Sequence, residues 1–324
     1  MDLEPTDEQL ALAAGLARLC ADRVTPEARR AAMALPGAVD RDLWRALGDI
    51  GAFALIVPAD RDGLGLGLAE ATLVFEELGR AAVPGPVVGT FLAAGLPLGS
   101  VAGAAMAGEA VVGLVPEGRP ALVEHRAALD ALLVVGPSGV VLAPRPEGGD
   151  GPLDRPLDPL TPVDVVPELP PGEPVGGLDL AARLRRDAGL LSAAIQVGLA
   201  GAAVAMATEH AGSRTQFGRA IGSFQALKHL LADAQVAVEV ARSAVQAAAV
   251  AVDEGGEDAD RAAHAARIVA SGAADRATRT CIQVHGGMGF TWDLDAHLFL
   301  KRTLVLDAGI ASPDDAIDAL AALL

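Results

Sequence analysis

The chain has 324 residues, 52% hydrophobic and 3% aromatic, with 42 acidic against 25 basic side chains and a net charge of −17. That length supports a sizeable core and two or three domains, and the alanine-rich apolar content favours closely packed helices. The charge argues against a nucleic-acid partner, since a duplex is repelled at long range and no Lys/Arg-dense tract offsets it.

Two cysteines, Cys20 and Cys281, lie far apart without CxxC or Cys/His spacing, so they suggest neither a disulfide framework nor a metal site and fit a reducing cytoplasm. The opening MDLEPTDEQL lacks the basic-then-apolar pattern of a signal peptide. DEQLALAAGLARLCADRV then spaces Leu10, Leu12, Ala13, Leu16 and Leu19 as a helix does, with Thr6 or Asp7 to cap it. Short helices flank a turn from Pro58 to Gly67. Its Gly63, Gly65 and Gly67 follow an apolar stretch, but the spacing is not GxGxxG and no P-loop lysine follows, so this reads as a plain loop.

An N-terminal helical domain therefore covers residues 1–95. From 96 to 178 the character changes: ALLVV (131–135) and GVVLA (139–143) are short, β-branched and bounded by Gly or Pro, as strands are. Ten of the 21 prolines fall between Pro144 and Pro174, which predicts a reduced β-rich middle domain ending in a linker.

Residues 179–324 read as a helical bundle. AGLLSAAIQVGLAGAAVAMAT (188–208) is long enough to span a membrane, but Ser192, Gln196 and several glycines interrupt it, and it reads as a buried helix. A seam of Phe217, Ile221, Phe224, Leu227, Leu231, Ala234, Val238, Ala241, Val245, Ala249 and Val252 predicts one long helix, broken by DEGGED at 253–258. Another helix is expected from Ala259 to about Val284, before HGGMGF. The fold class is thus mainly α with a small β middle domain.

Two clusters carry chemistry. In SRTQFGRAIGSFQ (213–225), Phe217, Ile221 and Phe224 could be core, with Arg214 and Gln225 on the surface. The other reading sets Arg214 and Gln216 where a helix offers free N–H groups, a site for phosphate oxygens with an Arg fork added. In QVHGGMGFTWDLDAHLFLKR (283–302), Gly286, Gly287 and Gly289 would let backbone approach a ligand closely, with Gln283 one turn before them. A plain helix-ending turn, with His285 at the surface, accounts for the same residues.

The order and separation of these clusters resemble those of the acyl-CoA dehydrogenase family. ALGDIGAFALIVP, FEELGRA and PGPVVGT are similar to its N-terminal helical domain; RTQFGRAIGSFQALKHLLADAQ and IQVHGGMGF are similar to signatures of its C-terminal four-helix domain. The resemblance covers most of the chain outside the middle region. It implies a helical, β, helical fold, oligomers, an acyl-CoA substrate and FAD bound between subunits. It also implies that Arg214, Phe217, Gln283, Gly286 and Gly287, with Gln225 in addition, hold the ADP half of FAD. The flavin ring would then rest on a neighbouring subunit.

Two departures matter. Abstraction of the substrate's α-proton needs a positioned carboxylate, yet the family's usual position for that glutamate holds Ile310 and its less common position holds Ala188. Asp307 and Asp187 lie near these positions and are the candidate bases, the alternative being that Asp307 turns the chain and Asp187 pairs with Arg183 or Arg186. Asp293 and Asp295 read as solvated, and Glu209 and His210 as groups orienting a helix end. The family's TEPxxGSD-like and W-x-[TS] segments, which seat the flavin ring, have no counterpart between 96 and 178. The chain therefore resembles subunits of the heteromeric acyl-CoA dehydrogenases of actinobacterial sterol side-chain degradation, where unlike subunits share sites. Alternatives are a self-sufficient homo-oligomer with an Asp base and a catalytically silent scaffold.

Overall fold

The computed structural model describes residues 5–34, 37, 39–148 and 156–323, so positions 149–155 of the proline-rich stretch lie outside the described residues. Of the two candidate caps, Thr6 starts α1 (Asp7–Arg23): its side chain accepts from the Gln9 N–H while Gln9 accepts from the Thr6 N–H. Then come α2 (Pro26–Met33), α3 (Arg41–Asp49), α4 (Leu68–Arg80) and α5 (Val87–Gly95), and α6 (Ser100–Met106) extends helix past residue 95. The glycine run before α4 is a loop. Gly67 offers α4 no capping side chain, and Asp253, 185 residues beyond Leu68, accepts from the Leu68 and Ala69 N–H groups at 2.9 and 2.8 Å.

Strands follow: β1 (Val112–Pro116), β2 (Ala121–Glu124), β3 (Ala131–Gly136), β4 (Gly139–Pro144), β5 (Val163–Val166) and β6 (Glu173–Gly176). One sheet runs β1-β3-β4-β6, with β1 parallel to β3 and the other pairs antiparallel; β2 and β5 form a separate antiparallel ribbon. Every residue of β3 is buried, as its unbroken apolar run requires of a strand covered on both faces.

The C-terminal bundle comprises α7 (Leu178–Ser213), α8 (Gln225–Asp253), α9 (Ala259–His285), α10 (Ala296–Ala308) and α11 (Pro313–Ala322). By length and composition α7 and α8 could each cross a bilayer, but 78% of the apolar window of α7 is buried inside the fold. Backbone meets backbone where α7 crosses α4: a Cβ at Gly198 would lie 1.9 Å from the Glu76 carbonyl oxygen, and one at Gly79 would lie 2.1 Å from that of Ile195. Only glycine fits either position, and this contact seats the N-terminal helices on the bundle. Asp295 corrects one expectation. It is buried rather than solvated, and Arg29 of α2 donates to it from Nη2 at 2.6 Å and from Nε at 3.0 Å.

The long seam holds only in part. Ala234, Val238, Ala241, Val245 and Ala249 are buried along α8, whereas Leu227 and Leu231 in its first turns are half-buried and Phe217 and Ile221 precede the helix altogether.

Candidate functional site

Arg214 ends α7, and a two-stranded hairpin, β7 (Thr215–Gln216) with β8 (Arg219–Ala220), separates it from α8. The turn residues Phe217 and Gly218 both have positive φ, 53° and 77°, the signature of a type I′ turn. Glycine adopts this freely, but a bulky residue does so under strain. Phe217 is nevertheless there, with 92% of its surface exposed. Arg214 and Gln216 thus lie on a hairpin and not in the first turn of a helix. The readable sign was QFGR, a two-residue turn with Gly second. Beyond the hairpin, Arg219 lies over the Phe224 ring at 4.0 Å, and α8 begins at Gln225 without a side-chain cap.

The second cluster stands next to the first. His210, one turn before Arg214, stacks on His285 with ring centroids 4.3 Å apart, which sets the end of α7 against the end of α9. His285 Nδ1 donates to the Cys281 carbonyl at 2.8 Å, so His285 is buried and not a surface residue. Burial, then His285 and Arg214, hold the His210 pKa below its ordinary value. Gly286 follows at φ 60°, and a Cβ at Gly286 or Gly287 would meet no atom within 4 Å. No neighbour within the chain crowds either position, and the space beside this backbone is open to a molecule from outside. Arg214, Phe217, Gln225, Gln283, Gly286 and Gly287 are all exposed, and Arg214 forms no ion pair among the described residues. Such an open face, with an Arg214 guanidinium outside any ion pair among the described residues, uncapped helix N–H groups and bare glycine backbone, suits an anionic ligand with flat rings.

Elsewhere an apolar cavity of about 480 Å³ lies between β1, β2, α7, the α4–α5 turn and the C-terminal end of α10. Ile310 lines it, as do Leu306 and Ala308; Asp307, between them, does not. Asp307 instead accepts from Gln196 Nε2 at 2.8 Å, Ser271 Oγ at 2.9 Å and Arg267 Nη2 at 3.1 Å. Asp187 accepts from Arg186 at 2.8 and 2.9 Å, and burial raises its pKa against the opposing pull of Arg186. Ala188 is fully buried in the core. The structure therefore brings neither candidate base to the cavity.

Among the described residues, its ionisable lining is Glu124 and Arg302, joined by the hydroxyls of Thr161 and Ser192. Arg302 donates from Nε to Asp158 and from Nη1 to the Val83 carbonyl at 2.9 Å. Sequence reasoning missed these groups. One sign was present, an arginine inside the apolar run LFLKRTLVL, but its acidic neighbours come from distant strands and loops.

Three comparisons bear on these features. Family models for the acyl-CoA dehydrogenase N-terminal domain and C-terminal domain match residues 6–104 and 177–309. Acyl-CoA dehydrogenase IpdE2 of Mycobacterium tuberculosis (strain ATCC 25618 / H37Rv) is 37% identical over 312 residues, covering 93% of this chain and 92% of that protein. Among solved structures, the ChsE4-ChsE5 complex from Mycobacterium tuberculosis superposes with a TM-score of 0.84 at 25% identity, over 99% of this chain and 98% of that one. PigA with FAD and proline shares the fold, with a TM-score of 0.80 at 16% identity over 99% of this chain and 98% of that one. With both terminal domains matched and one relative alike over nearly its whole length, the chain belongs to the acyl-CoA dehydrogenase family.

Proposed function

We propose that this protein is one subunit of a cytoplasmic, FAD-dependent acyl-CoA dehydrogenase whose flavin site is shared with an unlike, related subunit. The observation that carries the reading is a division within the chain: its clamp residues are exposed and, among the described residues, without ion pairs, while the cavity has Ile310 where the family's base would stand. The clamp residues fit the ADP half of FAD. The Arg214 fork would hold pyrophosphate oxygens, Phe217 would offer a ring face, and Gln283 with Gly286 and Gly287 would let that half approach the backbone. FAD, when bound, supplies the acceptor for the substrate's β-hydride.

The ring half of the site fits less well. From β1 the cavity receives Gly113, Leu114, Val115 and Pro116, none with a side-chain hydrogen-bonding group, and the two tryptophans lie elsewhere, Trp44 in the N-terminal core and Trp292 at the surface. An unlike subunit would therefore provide the ring seat and the carboxylate that removes the α-proton from the acyl thioester. Leu230, Val236 and Val240 are exposed along α8, an apolar face suited to such a partner. The likeness to the ChsE4-ChsE5 complex supports an assembly of this kind.

The test is anaerobic addition of a saturated acyl-CoA to the chain alone and to the chain co-purified with a related subunit. Bleaching of the flavin band in the assembly alone supports the reading. Bleaching by the chain on its own would establish a self-sufficient enzyme, and an assembly without flavin would leave a scaffold.

A further inference from the structure

Beside Arg214 stands a pair of histidines to which the clamp assigns no task. His210 lies in the last turn of α7 and His285 ends α9, with ring centroids 4.3 Å apart and planes 26° from parallel. The Cys281 carbonyl accepts from His285 Nδ1 and fixes that ring. The half-buried His210 ring is different: its backbone carbonyl accepts from the Arg214 N–H at 2.8 Å, but its two ring nitrogens have no hydrogen-bond partner among the described residues.

In a chain of net charge −17, this corner lacks a counter-ion. The groups that act on His210 are His285 and Arg214, and both add to burial in disfavouring its protonation. The last turn of α9 has nothing else ionisable except the buried Cys281. On the other side, the turn Ile221–Ser223 packs against α7 without an ionisable side chain, and Arg219 of β8 lies over Phe224. Lys228 and His229 near the start of α8 are exposed. Glu209 precedes His210 by one residue and so leaves the helix about 100° away from it. Charge on both stacked rings is mutually repelling, so a proton on His210 is unfavourable until something negative reaches it.

We propose that His210 is a second, proton-dependent contact to the cofactor's diphosphate, so that flavin binding draws one proton from solvent onto this ring and affinity for FAD rises as pH falls. The inference rests on the shared-flavin reading. A diphosphate on the Arg214 fork would bring the missing negative charge within one helical turn of the ring and give the imidazolium an acceptor. The negative end of the α7 dipole favours the same charge. Because the empty site holds this proton more weakly than the loaded one, binding and protonation strengthen each other.

The test is the Kd of FAD for the two-subunit assembly, read from the fluorescence of released flavin between about pH 8 and about pH 5. The diphosphate diester of FAD keeps its charge over that range, so the profile reports protein groups. A rise of one unit in the His210 pKa on binding shows as about tenfold tighter FAD at the acid end. His210→Phe, which keeps a ring against His285 but takes no proton, and His210→Asn should both lose that gain, while Arg214→Ala should weaken binding throughout. A wild type indifferent to pH, or a gain that persists in both His210 variants, would overturn the proposal and leave the flavin reading standing. Binding indifferent to Arg214→Ala at every pH would overturn that reading and the proposal with it.

Discussion

Arg267, with a side chain only 1% exposed, donates from Nη2 to Asp307 Oδ1 at 3.1 Å, and the same guanidinium donates from Nη1 to Gln196. This aspartate is therefore the counter-ion of a buried arginine, held by α7 and α9 together. Asp307→Ala should destabilise the chain by about 3 kcal/mol, because removal of one partner leaves a buried charge uncompensated. Asp307→Asn should cost less. Urea denaturation of both variants checks this, and the accompanying expectation is that flavin retention in the assembly does not change in Asp307→Asn.

Asp253 acts as the missing cap of α4 from nearly two hundred positions away, accepting from Leu68 and Ala69. Asp253→Ala should cost about 1 kcal/mol, the usual worth of an N-cap, and Asp253→Asn should recover part of it. Hydrogen exchange at the first turn of α4 should accelerate in the alanine variant before the rest of the chain is affected.

Two adjacent groups, Glu124 on the cavity wall and the buried His125, make stability depend on pH with opposite sign. Glu124 has a folded pKa raised above 4.5, so its contribution is fully present below that value and is lost as pH rises through the folded pKa. The stability difference between wild type and Glu124→Gln, measured by denaturant titration, should therefore stay constant below pH 4.5 and shift against the wild type as pH rises from 4.5 to the folded pKa.

For His125 the sign reverses. Its pKa falls from 6.5 to about 3 on folding, so the unfolded chain binds the extra proton and stability is lost as pH falls from 6.5 towards 3. The slope from this one group is at most about 1.4 kcal/mol per pH unit. His125→Asn, which suits the left-handed backbone at this position, should flatten the acid limb of the stability profile measured by denaturant titration between those limits.

Phe217 separates stability from function. Glycine or asparagine suits the first position of a type I′ turn better, so Phe217→Asn should leave the isolated chain as stable or raise its stability by about 0.5–1 kcal/mol. The same change should weaken flavin retention in the two-subunit assembly, because the ring is 92% exposed and meets its own chain only edge-on at Phe224, with centroids 6.1 Å apart. A fall in stability of the isolated chain would show that the ring packs locally.

Much of this architecture was legible in the sequence for physical reasons. The helical period, the bounded β-branched runs and the DEGGED break are local signals, and α9 and β3 follow them closely. The proposed clamp residues stand in two short motifs whose order and separation resemble those of the family. What the sequence did not disclose depends on long-range contact: the burial of Asp295 under Arg29, the ion pair of Arg302 with Asp158, and the engagement of Asp307 each join segments far apart in the chain. The hairpin at 215–220 escaped notice because an apolar seam of helical period ran through it, and turn geometry at Phe217 and Gly218 overrode that period.

The central claim, that this chain grips the ADP half of a flavin seated by another subunit, is tested most directly by flavin stoichiometry. Absorbance against protein mass is measured for the chain alone, for the co-purified assembly, and for the assembly carrying Arg214→Ala in this chain. The account predicts a colourless chain alone, a single flavin for each pair of unlike subunits, and clear loss of flavin in the variant. A chain that retains stoichiometric FAD by itself, or an assembly whose flavin content is indifferent to Arg214, would contradict it.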